Sequence, residues 1–159
     1  MATLTNNMNL PDSIVNAVKF QSYDSGSSDI TVTSLIKPPQ MVALEKTNLD
    51  KITEDCSDRI WALFGSATHY ILEKSVGEED IAEKRVFTEI NGWKVSGQFD
   101  LITKDCVLQD FKTTSVWSVM DAVKNGKTEW EQQLNLLAAL VRLDETIPIP
   151  IAKLQIVAT

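Results

Sequence analysis

The chain has 159 residues, of which 43% are hydrophobic and 23% charged, and this ordinary globular composition disfavours disorder and fibrous repeats. Fifteen Lys and Arg against 22 Asp and Glu give a net charge of −7, which argues against a protein that binds nucleic acid mainly by neutralising phosphates. No apolar run approaches the roughly 20 residues needed to cross a bilayer, and the N-terminus lacks a secretory pattern, so we expect a cytoplasmic protein without a membrane partner.

The two cysteines limit the metal chemistry that the chain can support. Cys56 and Cys106 lie too far apart in sequence for a CxxC pair, and two thiolates are too few for a four-cysteine zinc or iron–sulfur site. We therefore expect reduced thiols and no iron–sulfur cluster.

Composition divides the chain into two parts. Residues 1–30 are rich in Asn, Ser, Asp and Thr, with a Ser-Gly-Ser-Ser cluster at 25–28, and this favours a flexible N-terminal arm without a catalytic role. Residues 31–159 carry the helix and strand patterns of one domain. The chain stops in or just after a predicted strand, which leaves open that this core is truncated at its C-terminal end.

Two helices are predicted in the first half of the domain. A short one runs from about Pro39 to Lys46, since proline is well tolerated in the first helical turn. A longer one runs from about Ser57 to Val76, and its apolar residues recur at helical spacing and predict one buried face. They are Ile60, Leu63, Phe64, Ala67 and Ile71. His69 falls roughly opposite that face, in a stripe with Gly65 and Glu73.

The pattern then changes to a period of two, which predicts strands. The predicted strands are Val86–Ile90, Trp93–Thr103, Cys106–Thr113 and Ala152–Ala158. Asn91-Gly92 predicts a tight turn between the first two. A connection over 114–127 leads to a helix at about Thr128–Leu143, which precedes the last strand. This order of helix, three strands, helix and strand predicts an α/β fold with a mixed sheet flanked by helices.

Asp100 and Asp110 fall on the second and third strands, and the loop between the strands decides whether their side chains meet. Residues directly opposite each other in an antiparallel pair point to the same face, with Cβ atoms about 4.5 to 5.5 Å apart. A three-residue loop at 104–106 sets Asp100 opposite Asp110, whereas a two-residue loop at 104–105 sets it opposite Gln109. A shared metal site therefore requires the odd loop or a compensating bulge.

Two carboxylates on one face attract a divalent cation, and oxygen ligands suit Mg²⁺ or Mn²⁺. Lys112, two residues beyond Asp110 on the same face, is placed to orient or deprotonate a water at such an ion. His69 and Glu73, one helical turn apart, are placed to complete the site from above the sheet, and Gln133 on the following helix is placed to hold a phosphate or a water. Each residue also has an ordinary interpretation, because Asp-x-Lys triplets form surface salt bridges and helix histidines are often structural. Glu73 is more simply a solvated residue paired with a nearby lysine.

Four short motifs occur in a defined order along the chain. They are Gly65-x-x-x-His69-x-x-x-Glu73, Gly97-Gln98-Phe99-Asp100, Asp110-Phe111-Lys112-Thr113 and Gln133-Leu134. Together they resemble the ordered motifs of the RecB-like branch of the PD-(D/E)XK nuclease superfamily, and in particular phage-encoded exonucleases of that branch. The resemblance covers about residues 31–159 and implies a restriction-endonuclease-like αβββαβ core.

This resemblance implies a role for each motif residue. The groups that would bind a divalent metal, Mg²⁺ or Mn²⁺, are His69, Asp100, Asp110 and the backbone carbonyl of Phe111. Lys112 would be the catalytic lysine, with Asp110, Asp100 and Gln133 beside it in the catalytic centre. The implied reaction is metal-assisted hydrolysis of DNA phosphodiester bonds, by an exonuclease acting on free DNA ends in recombination, repair or processing of phage or host DNA.

The chain departs from the family pattern at Leu137, where the family often has a tyrosine four residues after the glutamine. This departure and the acidic net charge both weaken the expected DNA binding without touching the metal ligands. Two alternatives therefore stand beside the simple nuclease. One is a catalytically inactive module of the same fold that binds nucleic acid or a protein partner. The other is a nuclease that needs a homo-oligomer or a partner subunit to hold DNA.

Overall fold

The computed structural model describes residues 3–20 and 26–158, which form a mixed α/β fold with helices flanking a mixed sheet. The elements of its first part are β1 (Thr3–Thr5), α1 (Asp12–Phe20), β2 (Ile30–Thr31), α2 (Val32–Leu35), α3 (Pro39–Thr47) and β3 (Thr53–Asp55). A 3-10 turn at Cys56–Arg59 then leads into α4. The elements that follow the turn are α4 (Ile60–Glu73), β4 (Ile81–Ile90), β5 (Trp93–Ile102), β6 (Val107–Lys112), α5 (Val116–Asn125), α6 (Thr128–Leu143) and β7 (Lys153–Ala158).

The N-terminal segment differs from the flexible arm that composition favours for residues 1–30. In its described part, β1 pairs in parallel with β3, and α1 contacts α4 and buries Val18 completely. The polar residues of the segment are used locally, since the Thr5 hydroxyl and the Asn7 N–H both donate to Asp55 Oδ2. The polar residues of this segment therefore serve in turns and caps. Ser25 of the serine cluster lies outside the described residues.

The main sheet is organised around β5, and two strands share one of its edges. β4 pairs antiparallel with β5 along its whole length, from Ile81↔Ile102 to Ile90↔Trp93. At the other edge, β2 pairs in parallel at Val95 and Ser96, whereas β6 pairs antiparallel at Leu101 and Ile102. Residues 97–100 therefore lie between the two partners, where the sheet opens. β7 extends the sheet by pairing in parallel with β6.

The apolar core forms between this sheet and α6. Phe99, Ile102 and Leu108 are fully buried, and α6 contributes five buried residues: Leu134, Leu137, Ala138, Leu140 and Val141. Gly97 sets how closely the layers approach, because a Cβ built there would lie 2.6 Å from Leu137 Cδ2 and 2.9 Å from Val32 Cγ2. The position that departs from the family pattern, Leu137, is thus a core position in this chain.

The predicted buried face of α4 is wrong. Phe64 is 54% exposed and Ile71 is 64% exposed, Ala67 is exposed as well, and no residue of α4 is fully buried. The helix instead directs its opposite side toward the sheet, because His69 makes polar contacts with β4 and β6 there. Helical spacing identified the helix, but polar contacts determine its rotation. Among the described residues, no helix has both the length and the apolar character needed to cross a bilayer.

Candidate metal centre

The cluster of predicted site residues lies beside a cleft of about 810 Å³ between α4, the sheet and the start of α6. The cleft is lined by residues of six elements that lie far apart in the sequence, β2, α2, α4, β4, β5 and α6, among them His69, Glu83, Asp100 and Gln133. It lies where residues 97–100 of β5 are unpaired on the edge between β2 and β6, while β4 remains paired on the other edge. The opening in the sheet therefore gives the polar side chains access to solvent and to a ligand.

The β5–β6 hairpin has the three-residue loop that a shared site requires. The Thr103 N–H donates to the Val107 carbonyl at 3.0 Å, and the Cys106 N–H donates to the Thr103 carbonyl at 2.9 Å. Cys106 has a φ of 64°, the left-handed conformation typical of the last residue in such a loop. The observed pairs Leu101↔Gln109 and Ile102↔Leu108, extended by one residue, set Asp100 opposite Asp110. Of the two registers that the sequence left possible, the structure therefore has the one in which the side chains of Asp100 and Asp110 lie on the same face of the sheet.

The backbone ladder between β5 and β6 stops at this carboxylate pair. The Phe111 N–H donates to Asp100 Oδ2 at 2.6 Å, so a side chain replaces the carbonyl that would continue the ladder. This bond fixes Asp100 between the two strands, with its side chain only 11% exposed. It also leaves the Phe111 carbonyl available to His69.

Asp110 and Lys112 form a buried ion pair on β6. Lys112 Nζ lies 2.8 Å from Asp110 Oδ2 and donates a hydrogen bond to Oδ1 at 3.2 Å and to Gln133 Oε1 at 3.0 Å. Asp110 is 2% exposed, and its Oδ2 accepts no hydrogen bond from any residue in the described ranges. The ammonium group of Lys112 is therefore the charged partner of Oδ2, although the two atoms are not arranged as a hydrogen bond. A cation bound beside this carboxylate would supply a second positive charge.

His69 connects α4 to both of the neighbouring strands. Its Nε2 lies 3.3 Å from the Phe111 carbonyl oxygen, and its Nδ1 lies 3.0 Å from Glu83 Oε1 and 3.4 Å from Asp100 Oδ1. The ring also stands edge-on to the Phe111 ring, with centroids 6.2 Å apart. The histidine is thus fixed by contacts on both ring nitrogens.

Glu83 is a member of this cluster that the sequence analysis missed. The β4–β5 pairs on either side of it, Ala82↔Leu101 and Lys84↔Phe99, place it opposite Asp100. The signal was present in the Asn91-Gly92 turn, because a two-residue turn fixes the register of the whole hairpin. The period-two pattern began at about Glu83, but the predicted strand started only at Val86, five residues after the observed start at Ile81.

Burial raises the pKa values of both aspartates in the cluster, and repulsion from Asp110 and Glu83 adds to the shift of Asp100. Burial raises the pKa of Asp100 to about 6, because the Phe111 N–H and His69 offset only part of the loss of hydration. Burial likewise raises the pKa of Asp110, against the opposing effect of Lys112. The two aspartates on this face are therefore harder to ionise than a solvated carboxyl group, and a nearby positive charge would favour their charged forms.

The histidine and its glutamate partner shift in the opposite sense. The hydrogen bond that the ring donates to Glu83 raises the pKa of His69, although burial of the ring opposes this. Burial would raise the pKa of Glu83, but the hydrogen bonds from His69 and Gln98 outweigh it and bring the pKa below its usual value. His69 and Glu83 therefore each favour the charged form of the other.

The donor set fits a divalent ion of the Mg²⁺ or Mn²⁺ type. It offers carboxylate oxygens, a backbone carbonyl and one imidazole, ligands that such ions accept. His69 Nε2 and the Phe111 carbonyl oxygen lie 3.3 Å apart. Two ligands bound at right angles to an ion, each about 2.1 Å from it, would lie roughly 3 Å apart, which is close to this distance. Among the described residues, the group of His, Cys, Asp and Glu side chains close enough to hold an ion together is His69, Glu83 and Asp100, whose ligand atoms all lie within 4.8 Å of one another. Asp110 is not in this group.

The structure brings the sequence-predicted residues to one region as two sets of contacts, one joining His69, Asp100 and Phe111 and the other joining Asp110, Lys112 and Gln133. Glu73 lines the same cleft, and its Oε1 lies 3.4 Å from Lys74 Nζ, which agrees with its interpretation as a solvated residue paired with a lysine. The two sets of contacts are those on which the functional proposal depends.

Comparison with known proteins shows a shared fold but identifies no family for this chain. No protein-family model matches the chain, and no curated protein matches it. The crystal structure of SSO0001 matches with a TM-score of 0.61 at 19% sequence identity, covering 85% of this chain and 68% of that one. At this level of identity the likeness shows a shared fold alone.

Proposed function

We propose that the chain is a Mg²⁺- or Mn²⁺-dependent deoxyribonuclease that hydrolyses DNA phosphodiester bonds, acting on free DNA ends. The observation that carries the proposal is the register of the β5–β6 hairpin. It sets Asp100 opposite Asp110, with Lys112 two residues further along the same face and His69 against the Phe111 carbonyl. Metal ligands and a lysine in this arrangement are suited to metal-assisted hydrolysis of a phosphodiester.

The element order supports the same proposal. The series α4, β4, β5, β6, α6 and β7 reads as the αβββαβ core that the resemblance to RecB-like PD-(D/E)XK nucleases implies, with α5 added before α6. Each motif of that resemblance falls on the element where the core needs it. This is an argument from arrangement, and cleavage of DNA is the property that tests it.

The residues divide the chemistry between them. The ion would be held by His69, Asp100, Asp110 and the Phe111 carbonyl, and when bound it would supply Lewis-acid chemistry to the phosphodiester. Lys112 has three N–H donors, and among the described residues Asp110 and Gln133 accept two of them. The third is available to orient a water or to stabilise negative charge on the phosphate. Gln133 acts on the substrate indirectly, by holding the lysine in place.

A catalytically inactive module of the same fold is the second candidate. Leu137 favours it, because this residue is 2% exposed and packs against Gly97, so it offers no polar contact to DNA. The net charge of −7 points the same way, since phosphate contacts must then come from a few local groups, a homo-oligomer or a partner protein.

Cleavage of linear and closed circular DNA tests the proposal. The purified protein is incubated with each substrate in Mg²⁺ or Mn²⁺, beside an EDTA control and the variants Lys112→Ala and Lys104→Ala. Lys104 is a matched control because it is an exposed lysine that pairs only loosely with Glu79, at 3.7 Å. We expect cleavage of linear DNA alone, lost with EDTA and in Lys112→Ala but retained in Lys104→Ala.

The other outcomes are equally informative. Cleavage of both substrates would replace the exonuclease by an endonuclease with the same centre. Binding of Mn²⁺ without cleavage of either substrate would favour the inactive module. Cleavage that survives in Lys112→Ala would mean that the reacting centre lies elsewhere.

A further inference from the structure

The chain has a single histidine, and two acceptors compete for its ring proton. Glu83 Oε1 lies 3.0 Å from His69 Nδ1, and the Phe111 carbonyl oxygen lies 3.3 Å from Nε2. A neutral imidazole carries only one ring proton, so it can donate to one of them at a time. A proton on Nε2 blocks that nitrogen as a ligand, whereas a proton on Nδ1 leaves Nε2 free to bind an ion.

Glu83 is held in a position that favours the second arrangement. Gln98 Nε2 donates to Glu83 Oε2 at 2.7 Å, which leaves Oε1 directed at His69. Arg85 donates to Gln98 Oε1 at 3.1 Å, and this bond fixes which way the Gln98 amide faces. Glu83 also has a φ of 48°, a conformation that residues with a Cβ rarely adopt and that commonly marks functional sites. A charged acceptor forms a stronger hydrogen bond than a neutral carbonyl, so Glu83 competes well against Phe111.

We propose that Glu83 is a positioning residue, which holds the His69 proton on Nδ1 with the support of Gln98 and so directs Nε2 toward the metal ion. The inference rests on the proposed metal-dependent function and assigns within it a role that the sequence motifs leave out. Metal-bound histidines commonly donate their other N–H to a carboxylate, and loss of that partner typically lowers metal affinity 10- to 100-fold. Asp100, with Oδ1 3.4 Å from Nδ1, cannot replace Glu83 while it ligates the ion.

A direct role as an ion ligand is the competing role for Glu83, since its carboxylate belongs to the grouping with His69 and Asp100. The two roles differ in what they require. A ligand to the ion needs the negative charge at position 83, whereas a positioning residue needs only an oxygen that accepts the Nδ1 proton. The two roles can be distinguished by a pair of substitutions that moves the negative charge away from position 83 but keeps every hydrogen bond.

The double variant Glu83→Gln/Gln98→Glu makes that exchange. In it, the residue at 83 accepts the His69 proton through its amide oxygen and donates its NH₂ to the new carboxylate at 98, which also accepts from Arg85. The variants to compare with it are Glu83→Ala, which removes the acceptor, and Glu73→Ala, which removes a carboxylate that lines the same cleft. All are made in the full chain.

The first measurement is ¹⁵N NMR of the imidazole ring in metal-free protein at about pH 9, where the ring is neutral. Because His69 is the chain's single histidine, the two ring signals report its tautomer without assignment. We expect the Nδ1-protonated form in the unsubstituted protein, in Glu73→Ala and in the double variant. In Glu83→Ala we expect the population to shift toward the Nε2-protonated form.

The second measurement is calorimetric titration with Mn²⁺. We expect Glu83→Ala to weaken binding 10- to 100-fold and the double variant to recover most of that loss. An unchanged tautomer and affinity in Glu83→Ala would overturn the proposal. If the double variant recovers the Nδ1-protonated tautomer but not the Mn²⁺ affinity, the proposal is overturned and Glu83 is a direct ligand of the ion. If the unsubstituted protein binds no Mn²⁺ while the tautomer still responds to Glu83→Ala, the metal-dependent function fails and the hydrogen-bonding role of Glu83 stands.

Discussion

The two main helices beside the sheet, α4 and α6, have similar lengths and are held by different interactions. α6 buries five residues in the apolar core, whereas no residue of α4 is fully buried. α4 meets the sheet instead through His69, whose ring nitrogens face Glu83 and the Phe111 carbonyl. One helix contributes chiefly hydrophobic stabilisation and the other chiefly a polar site.

This difference separates stability from chemistry along the chain. Substitutions that remove apolar volume from α6 should lower the free energy of unfolding, since they leave cavities in a packed core. Substitutions in the polar cluster should change metal binding and cleavage, and some should even stabilise the metal-free protein. The outer apolar side chains of α4 should matter little to either property.

The largest expected effect is on catalysis. Lys112→Ala should lower the rate of DNA cleavage by about 100-fold or more, a typical loss for a group that orients or protonates a reacting atom. Mn²⁺ should still bind, because the substitution leaves the proposed ligands in place. Initial rates on linear DNA together with calorimetric titration test this, and a rate within about threefold of that of Lys104→Ala would refute a catalytic role.

The largest expected effect on the free energy of unfolding is in α6. Leu137→Ala removes a side chain that is 2% exposed and packs against Gly97, so the free energy of unfolding should fall by about 2 to 5 kcal/mol. Leu143→Ala, on the same helix but 60% exposed, is the matched control and should change little. Urea denaturation measures both, and equal effects would show that the core does not extend to Leu137 in solution.

A gain in stability is expected at the metal centre. The pKa of Asp100 is raised to about 6 from an unfolded value of 3.8, so its contribution to stability is fully present below about pH 4 and is lost as the pH rises through 6. Asp100→Asn removes this penalty and keeps an acceptor for the Phe111 N–H. In EDTA at pH 8 it should therefore raise the free energy of unfolding by about 3 kcal/mol.

The pH dependence and the ion dependence distinguish this effect from a general stabilisation. The gain from Asp100→Asn should shrink as the pH is lowered through about 6, and the exposed control Asp105→Asn should show no such gain. With Mn²⁺ present the order should reverse, because the unsubstituted protein alone gains stability from tight binding. A gain that is constant with pH would mean that ionisation of Asp100 is not its cause.

The smallest effect is expected on the outer face of α4. Phe64→Ala should change the free energy of unfolding by no more than about 0.5 kcal/mol, since the residue is 54% exposed. Thermal denaturation at two protein concentrations measures this. A loss of about 2 kcal/mol or more would indicate that another surface covers this face in solution.

The elements that carry the site were largely predictable from the sequence, because their signals are local. The Asn91-Gly92 turn, the alternation in β5 and the stripe of α6 each depend on residues close together in the chain. The register between Asp100 and Asp110 was reduced to two possibilities. The choice between them depends on Cys106 in a left-handed conformation, which a non-glycine residue adopts too rarely for the sequence to reveal.

The failures have physical causes of their own. The spacing of apolar residues in α4 predicted which side of the helix is apolar but not what that side packs against. In the structure, the contacts of His69 turn the opposite side of the helix toward the sheet. Glu83 was missed because β4 begins at Ile81, and its first five residues are only partly buried and include three charged side chains. The order in the N-terminal segment was missed because Asp55, which accepts two of its hydrogen bonds, lies some 50 residues away in the chain.

The turn at 104–106 gives the protein a position that tolerates substitution but not a change of length. Lys104 and Asp105 are exposed and do not line the cleft, so exchanges of either should leave the carboxylates where they are. A single inserted or deleted residue would instead slip β6 by one position and send Asp110 and Lys112 to the far side of the sheet. Among homologous sequences, this short surface turn should therefore vary in composition while it keeps its length.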